Sequence, residues 1–141
     1  MKWIVCFINV KQVGFWRFYS LLRSKWTHCY LVKYDQLNET WNLFEFHTGG
    51  FRFLAKKGEK ADFLVENMIT KAVCIEFTAK RQRHFVPSFS FPWLYCVSFC
   101  KHAVGITKWS VLTPDQLHCE LLKQGGKEIF VWNEEIANGV A

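Results

Sequence analysis

The sequence predicts an α+β domain, and three observations predict it. Half of the 141 residues are hydrophobic and 18% are aromatic, enough to bury one sizeable core. Apolar runs of strand length recur along the chain, separated by segments whose apolar residues return at helical spacing. No internal repeat or linker divides it, so residues 1–141 read as a single domain. With 21% charged residues, wholesale disorder is excluded. No apolar run reaches the roughly 20 residues that a membrane span requires, so no span is expected.

Residues 3–10 are a continuous apolar run containing Ile4, Val5, Ile8 and Val10, and read as a buried strand. The run superficially resembles a secretory leader. Lys11 closes it early, however, and no small-residue cleavage site follows, so it reads as structure. Residues 15–25 carry a helical stripe of Phe15, Phe18, Tyr19, Leu21 and Leu22. Residues 27–34 and 41–47 alternate as two further strands, and the polar stretch 35–40 between them has hairpin-loop composition. A short strand is expected over 51–54, a helix over 59–70 and a strand over 73–77. Pro87 and Pro92 make 80–92 a loop, after which 93–104 is helical, with Gly105 as its stop. Thr113, Pro114 and Gln116 have the order of an N-cap, a first-turn proline and a capping-box partner. That helix runs to about Lys123 and ends at Gly125 and Gly126. A final strand is expected over 127–132, with a frayed tail from about 133.

The net charge is +6 and unevenly spread. Basic clusters occur at Lys56, Lys57 and Lys60, and again at Lys80, Arg81 and Arg83. Such a face maintains solubility or suits an anionic partner: a cell-wall polymer, a membrane surface or nucleic acid. The recurring motifs of nucleic-acid modules are missing. The six cysteines include no CxxC pair, and Cys6, Cys29 and Cys74 lie inside apolar or strand-like runs, where a free thiol behaves as a small buried hydrophobe. The chain reads as reduced and made in a cytoplasm.

Cys96 is the residue best placed for chemistry. It follows the proline-broken loop and falls in the first turns of a helix, where unpaired N–H groups and the helix dipole favour thiolate and supply oxyanion donors. A thiol so placed needs a histidine to hold its proton, and His28 in the strand THCYLVKYD is the candidate. If the hairpin pairs Tyr34 with Trp41, His28 lies opposite His47 and Tyr30 opposite Glu45. A two-residue slip brings Glu45 opposite His28. In both registers these residues share a sheet face, so Glu45 or His47 is the third member that orients the ring. Cys100, one turn further along the helix, is expected to be a buried structural thiol. Cys96 and Cys100 with His28 and His47 make a tetrahedral zinc set only in principle, because zinc ligands more often come in tighter loop-borne pairs. No metal is expected, and with no P-loop, GxGxxG, GxSxG or HExxH sequence, no cofactor either.

A histidine early in one strand, a polar residue on the next and a later cysteine at a helix start resemble the circularly permuted NlpC/P60 group of papain-like proteins. That group includes the lecithin-retinol-acyltransferase-like branch. THCYLV, TWNLFEF, YCVSFCKHAVGI and VLTPDQLHCELLK also look like segments of small phage and bacterial proteins, a similarity spanning about residues 15–124. The resemblance implies an antiparallel sheet packed against helices, with Cys96 as nucleophile, His28 as general base and Glu45 as the acidic residue. His47 is the alternative to Glu45.

The expected function is a thiol hydrolase or acyltransferase acting on an amide or ester, with a phage-type cell-wall peptidase foremost and a lipid acyl substrate next. A non-enzymatic virion or interaction protein that retains the fold is the main alternative, with Trp3, Phe15, Trp16, Phe89, Phe91 and Trp93 at an interface. A basic nucleic-acid binder is the weaker one. Virion association and binding of an anionic polymer through the basic face belong to the same set of expectations.

Overall fold

The computed structural model describes residues 2–9, 25–47, 50–58, 72–79 and 96–130. The helices expected over 15–25 and 59–70, the loop over 80–92 and the tail from 133 lie outside these residues, Lys25 excepted. Among the described residues six strands form one antiparallel sheet: β1 (Lys2–Ile8), β2 (His28–Asp35), β3 (Thr40–His47), β4 (Gly50–Lys57), β5 (Val73–Thr78) and β6 (Lys127–Phe130). Their order is β4-β3-β2-β1-β5-β6. Two helices, α1 (Cys96–Val104) and α2 (Pro114–Lys123), complete an α+β architecture. Among the described residues no helix is long and apolar enough to cross a membrane.

Strand alternation sorts the apolar residues into two cores. Val5, Phe7, Cys29, Leu31, Ile75 and Phe77 point to one face, where Val97, Cys100 and Val104 of α1 and Leu117 and Leu121 of α2 cover them. Cys6, Tyr30, Val32, Leu43 and Cys74 form the core of the other face. Each fully buried aliphatic or aromatic side chain contributes about 1.5–3 kcal/mol, so the helix-side cluster is the main attachment of α1 and α2 to the sheet. Trp3, which suits an interface or a core by its sequence, packs on this cluster, its ring 5.6 Å from that of Phe44.

The hairpin of β2 and β3 takes the register that pairs Tyr34 with Trp41. Strand β4 is twice as long as the expected 51–54. It pairs with β3 along its whole length, from Thr40↔Lys57 to His47↔Gly50. A run such as Ala55, Lys56 and Lys57 has weak strand preference by itself, and the neighbouring ladder overrides it. Lys56 and Lys57 are exposed there, whereas Lys60, Lys80, Arg81 and Arg83 lie outside the described residues.

Both helix ends follow the sequence signals. Gly105 adopts φ +83° after α1, and its N–H and that of Ile106 both donate to the Lys101 carbonyl at 2.9 Å. The Lys101 side chain is buried and donates from Nζ to the Val111 carbonyl at 3.0 Å, drawing the connection to α2 under α1. Burial lowers its pKa from the usual lysine value. At α2, the Thr113 hydroxyl accepts from the Gln116 N–H, and the Gln116 side chain accepts from the Thr113 N–H. The Asp115 carboxylate, in the first turn of α2, accepts from the N–H groups of Lys25 and Trp26 at 2.9 and 3.1 Å. It thereby fixes the entry to β2, three residues before His28.

Gly126 closes α2 against the sheet. A Cβ there would lie 2.7 Å from Ile75 Cγ2 and 2.9 Å from the Leu121 carbonyl oxygen. Neither neighbour can retreat freely, since Ile75 is fully buried and that carbonyl accepts from the Gly126 N–H. Gly126→Ala is therefore expected to destabilise the fold by about 1–3 kcal/mol through overpacking. The check is urea unfolding, with a lower midpoint at an unchanged denaturant slope.

Candidate active site

Strands β2 and β3 pair from Asp35↔Thr40 as far as Leu31↔Phe44. Beyond that point β2 stays paired to β1 down to Ile8↔His28, while β3 stays paired to β4 as far as His47↔Gly50. Strands β2 and β3 thus part at the end that carries His28, Glu45 and His47. Helix α1 packs on both of them. Phe99, in its first turn, stacks on Phe46 of β3 and Phe51 of β4, with centroids 6.2 and 5.4 Å away. The helix N-terminus, with Cys96 as its first residue, is thereby set at the fork.

There Cys96 lies near enough to the His28 side chain for each to shift the other's ionisation. The Nε2 of His28 lies 3.1 Å from Glu45 Oε1, which leaves Nδ1 as the ring nitrogen available to the sulfur. Glu45 reaches His28 in the unslipped register. Continuing the ladder places Glu45 opposite Tyr30, so the carboxylate crosses the diagonal of the same sheet face, a distance that a long side chain spans. Its second oxygen faces Arg52, the residue opposite it on β4, at 3.6 Å. The pair is well shielded, with 11% of the His28 side chain and 18% of the Glu45 side chain exposed.

Charge decides the protonation states. Burial opposes an imidazolium at His28, but the hydrogen bonds and negative charge of Cys96 and Glu45 outweigh it and raise the ring from 6.5 to about 9. At Cys96 the largest influence is the neighbouring Cys29. Burial works against the anion, but His28 adds to the influence of Cys29, and the thiol is held well below its usual 9.0. The site thus favours a thiolate facing an imidazolium. Such a pair can attack a carbonyl carbon and deliver a proton to the group that leaves.

Cys29 is the residue that sequence reasoning missed at this site. Period-2 alternation points it away from His28 and into the helix-side core, where it is indeed fully buried. Only its position directly after His28 in THCY could have drawn attention to it. Arg52 was equally hidden, since its pairing with Glu45 depends on the full length of β4.

The other candidates fall elsewhere. Cys100 is fully buried in the helix-side core, and Cys119 is exposed. All six cysteines are free thiols. His47 occupies the last paired position of β3, opposite Gly50, and its side chain lies outside the described part. His118 packs edge-on against Phe7 at 5.2 Å. Among the described residues, no group of three or more His, Cys, Asp and Glu side chains is disposed to hold a metal ion. Comparison with known proteins finds no family model that matches the chain and no similar curated protein or solved structure.

The ion pair has a definite pH window. His28 is raised, so its contribution is complete below about 6.5 and is lost as pH rises through about 9. Cys96 is lowered, so its thiolate forms at lower pH than that of an unperturbed thiol. Iodoacetamide is therefore expected to alkylate Cys96 with a pH midpoint below the usual thiol range. The Cys96 rate should then change again near 9, as His28 loses its proton. Glu45→Gln should move that upper step to lower pH, because a charge favouring the imidazolium is gone. Peptide mapping of the alkylated cysteines across pH checks both.

Proposed function

We propose that the chain is a cysteine hydrolase or acyltransferase with the permuted papain-like arrangement, acting on an amide or ester carbonyl. One observation carries this reading: a cysteine at the start of a helix lies beside a histidine whose Nε2 is held 3.1 Å from a carboxylate. The Cys96 thiolate attacks the carbonyl carbon, and the oxyanion faces the unpaired N–H groups of the first turn of α1. His28 gives its proton to the departing amine or alcohol, leaving a thioester on Cys96. It then takes a proton from the water or amine that attacks the thioester, and the thiolate returns as the acyl group leaves. Glu45 keeps the ring oriented and stabilises its charged form throughout.

A peptide is the favoured substrate, with the cell-wall peptides cut by permuted NlpC/P60 enzymes as the first class to try and a lipid acyl ester as the second. The exposed Lys56 and Lys57 on β4 suit an anionic polymer. A phage or virion setting is part of the same proposal.

A p-nitrophenyl ester tests the reading without knowledge of the natural substrate. The wild-type protein should release a burst close to one equivalent of nitrophenol and carry the acyl group on the Cys96 peptide. Cys96→Ala should abolish the burst, and His28→Ala should slow it by about 10²–10⁴-fold, the usual contribution of a positioned acid–base group. Acylation spread over other residues, or a burst that survives Cys96→Ala, would overturn the assignment. The protein would then be better read as a non-enzymatic interaction protein.

A further inference from the structure

Two sulfurs meet on the sheet face opposite α1 and α2, and the proposed reaction uses neither. Strands β1 and β5 pair from Lys2↔Thr78 to Phe7↔Val73, and within that ladder Cys6 stands directly opposite Cys74. Opposed residues of an antiparallel pair share a face, with Cα atoms about 4.5 or 5.5 Å apart according to whether they exchange hydrogen bonds. Both separations lie inside the roughly 4.4–6.8 Å that a disulfide spans. The side chains also turn toward each other, and the Cys74 thiol donates to the Cys6 sulfur at 3.3 Å. Bonding requires the sulfurs to close by about 1.2 Å, a distance within reach of small side-chain rotations.

The other thiols are kept from this pairing. Cys29 and Cys100 belong to the cluster on the helix side, with Cys96 packed against it, and the sheet itself separates them from Cys6 and Cys74. Cys119 is exposed on α2. Cys6 and Cys74 are fully buried, in a cluster with Tyr30, Val32 and Leu43. A single buried cysteine is adequately described as a small hydrophobe. Two that face each other across a ladder are also a dithiol.

We propose that Cys6 and Cys74 are the site of a reversible disulfide tying β1 to β5, formed by exchange with a small-molecule disulfide. One protein thiolate attacks a sulfur of the small disulfide and displaces half of it as a thiolate. The second attacks the resulting mixed disulfide at the protein sulfur and displaces the other half. The protein loses two electrons and two protons, and the small disulfide gains both to become two thiols. Because the sulfurs are buried, exchange takes place as the chain folds or when the β1–β5 ladder opens, and the finished bond is shielded afterwards. The bond braces the strand next to the one that carries His28. Tyr30 of β2 stands opposite Cys6, and its ring lies 6.4 Å from that of His28. The inference is independent of the reading of Cys96 as nucleophile.

The experiment uses the full chain with Cys96→Ser, which removes the thiol expected to react first with an oxidant. It is refolded from urea in a mixture of oxidised and reduced glutathione, its remaining thiols are blocked with iodoacetamide in denaturant, and the digest is mapped without reduction. Should Cys96→Ser fail to fold, the wild-type chain is mapped in the same way. The expected result is a Cys6–Cys74 linked peptide as the dominant disulfide, with Cys29 and Cys100 alkylated. The linked form should unfold at a urea midpoint about 1–2 M above the reduced form, because the bond closes a loop between residues 68 positions apart. Dithiothreitol should remove the difference, and Cys74→Ala should show neither the linked peptide nor the rise. Cys6 and Cys74 that stay alkylatable, carry glutathione or pair with Cys29 or Cys100 overturn the proposal. So does a linkage that fails to raise the midpoint.

Discussion

The arrangement of the whole site depends on where the ladder between β2 and β3 stops. Up to Leu31↔Phe44 the two strands are ordinary antiparallel neighbours, and beyond it each keeps only its outer partner, β1 or β4. The fork is the space that admits the end of α1, which a sheet paired to its last residue would not offer.

Electrostatics and packing pull in opposite directions here, and their balance gives the site its character. Burial alone would neutralise His28 and protonate Cys96. Each of the two charges is favoured by the other, the imidazolium also by Glu45 at its Nε2 and the thiolate by the neighbouring Cys29. Desolvated pairs of this kind add little net stability, because the cost of removing both ions from water offsets their attraction. The fold bears that cost through the apolar cluster next to it, in which Cys29 and Cys100 pack with Phe7, Leu31, Val97 and Leu117. A reactive pair is held by an inert core.

Distant contacts serve the same end. Asp115 fixes the main chain at Lys25 and Trp26, so α2 sets where β2 begins and hence where His28 stands. Lys101 and Gly105 stop α1 and turn the chain back toward α2. Gly126 lets α2 descend onto Ile75 of β5. These residues do not touch the Cys96 sulfur, yet they determine the relative placement of the helix carrying Cys96 and the strand carrying His28. Precision at the fork is thus a property of the connections as much as of the groups that meet there.

Local signals in the sequence determined a good deal. Alternation and turn composition marked the hairpin and put His28 and Glu45 on one sheet face, because a two-residue period leaves few choices of face. Of the two registers this allowed, the structure takes the one with Tyr34 opposite Trp41. Thr113 with Gln116, and Gly105, marked helix ends because their chemistry acts within a single turn. What only the tertiary structure decided are the features made by non-local pairing. The full length of β4 is imposed by β3, and with it the position of Arg52 against Glu45. Cys29 reads as a buried hydrophobe, and it is one, but the cluster it is buried in is the one against which Cys96 packs. No periodicity within a strand states whether its neighbour continues, since that depends on the competition between β3 and a helix from far along the chain for the same backbone edge.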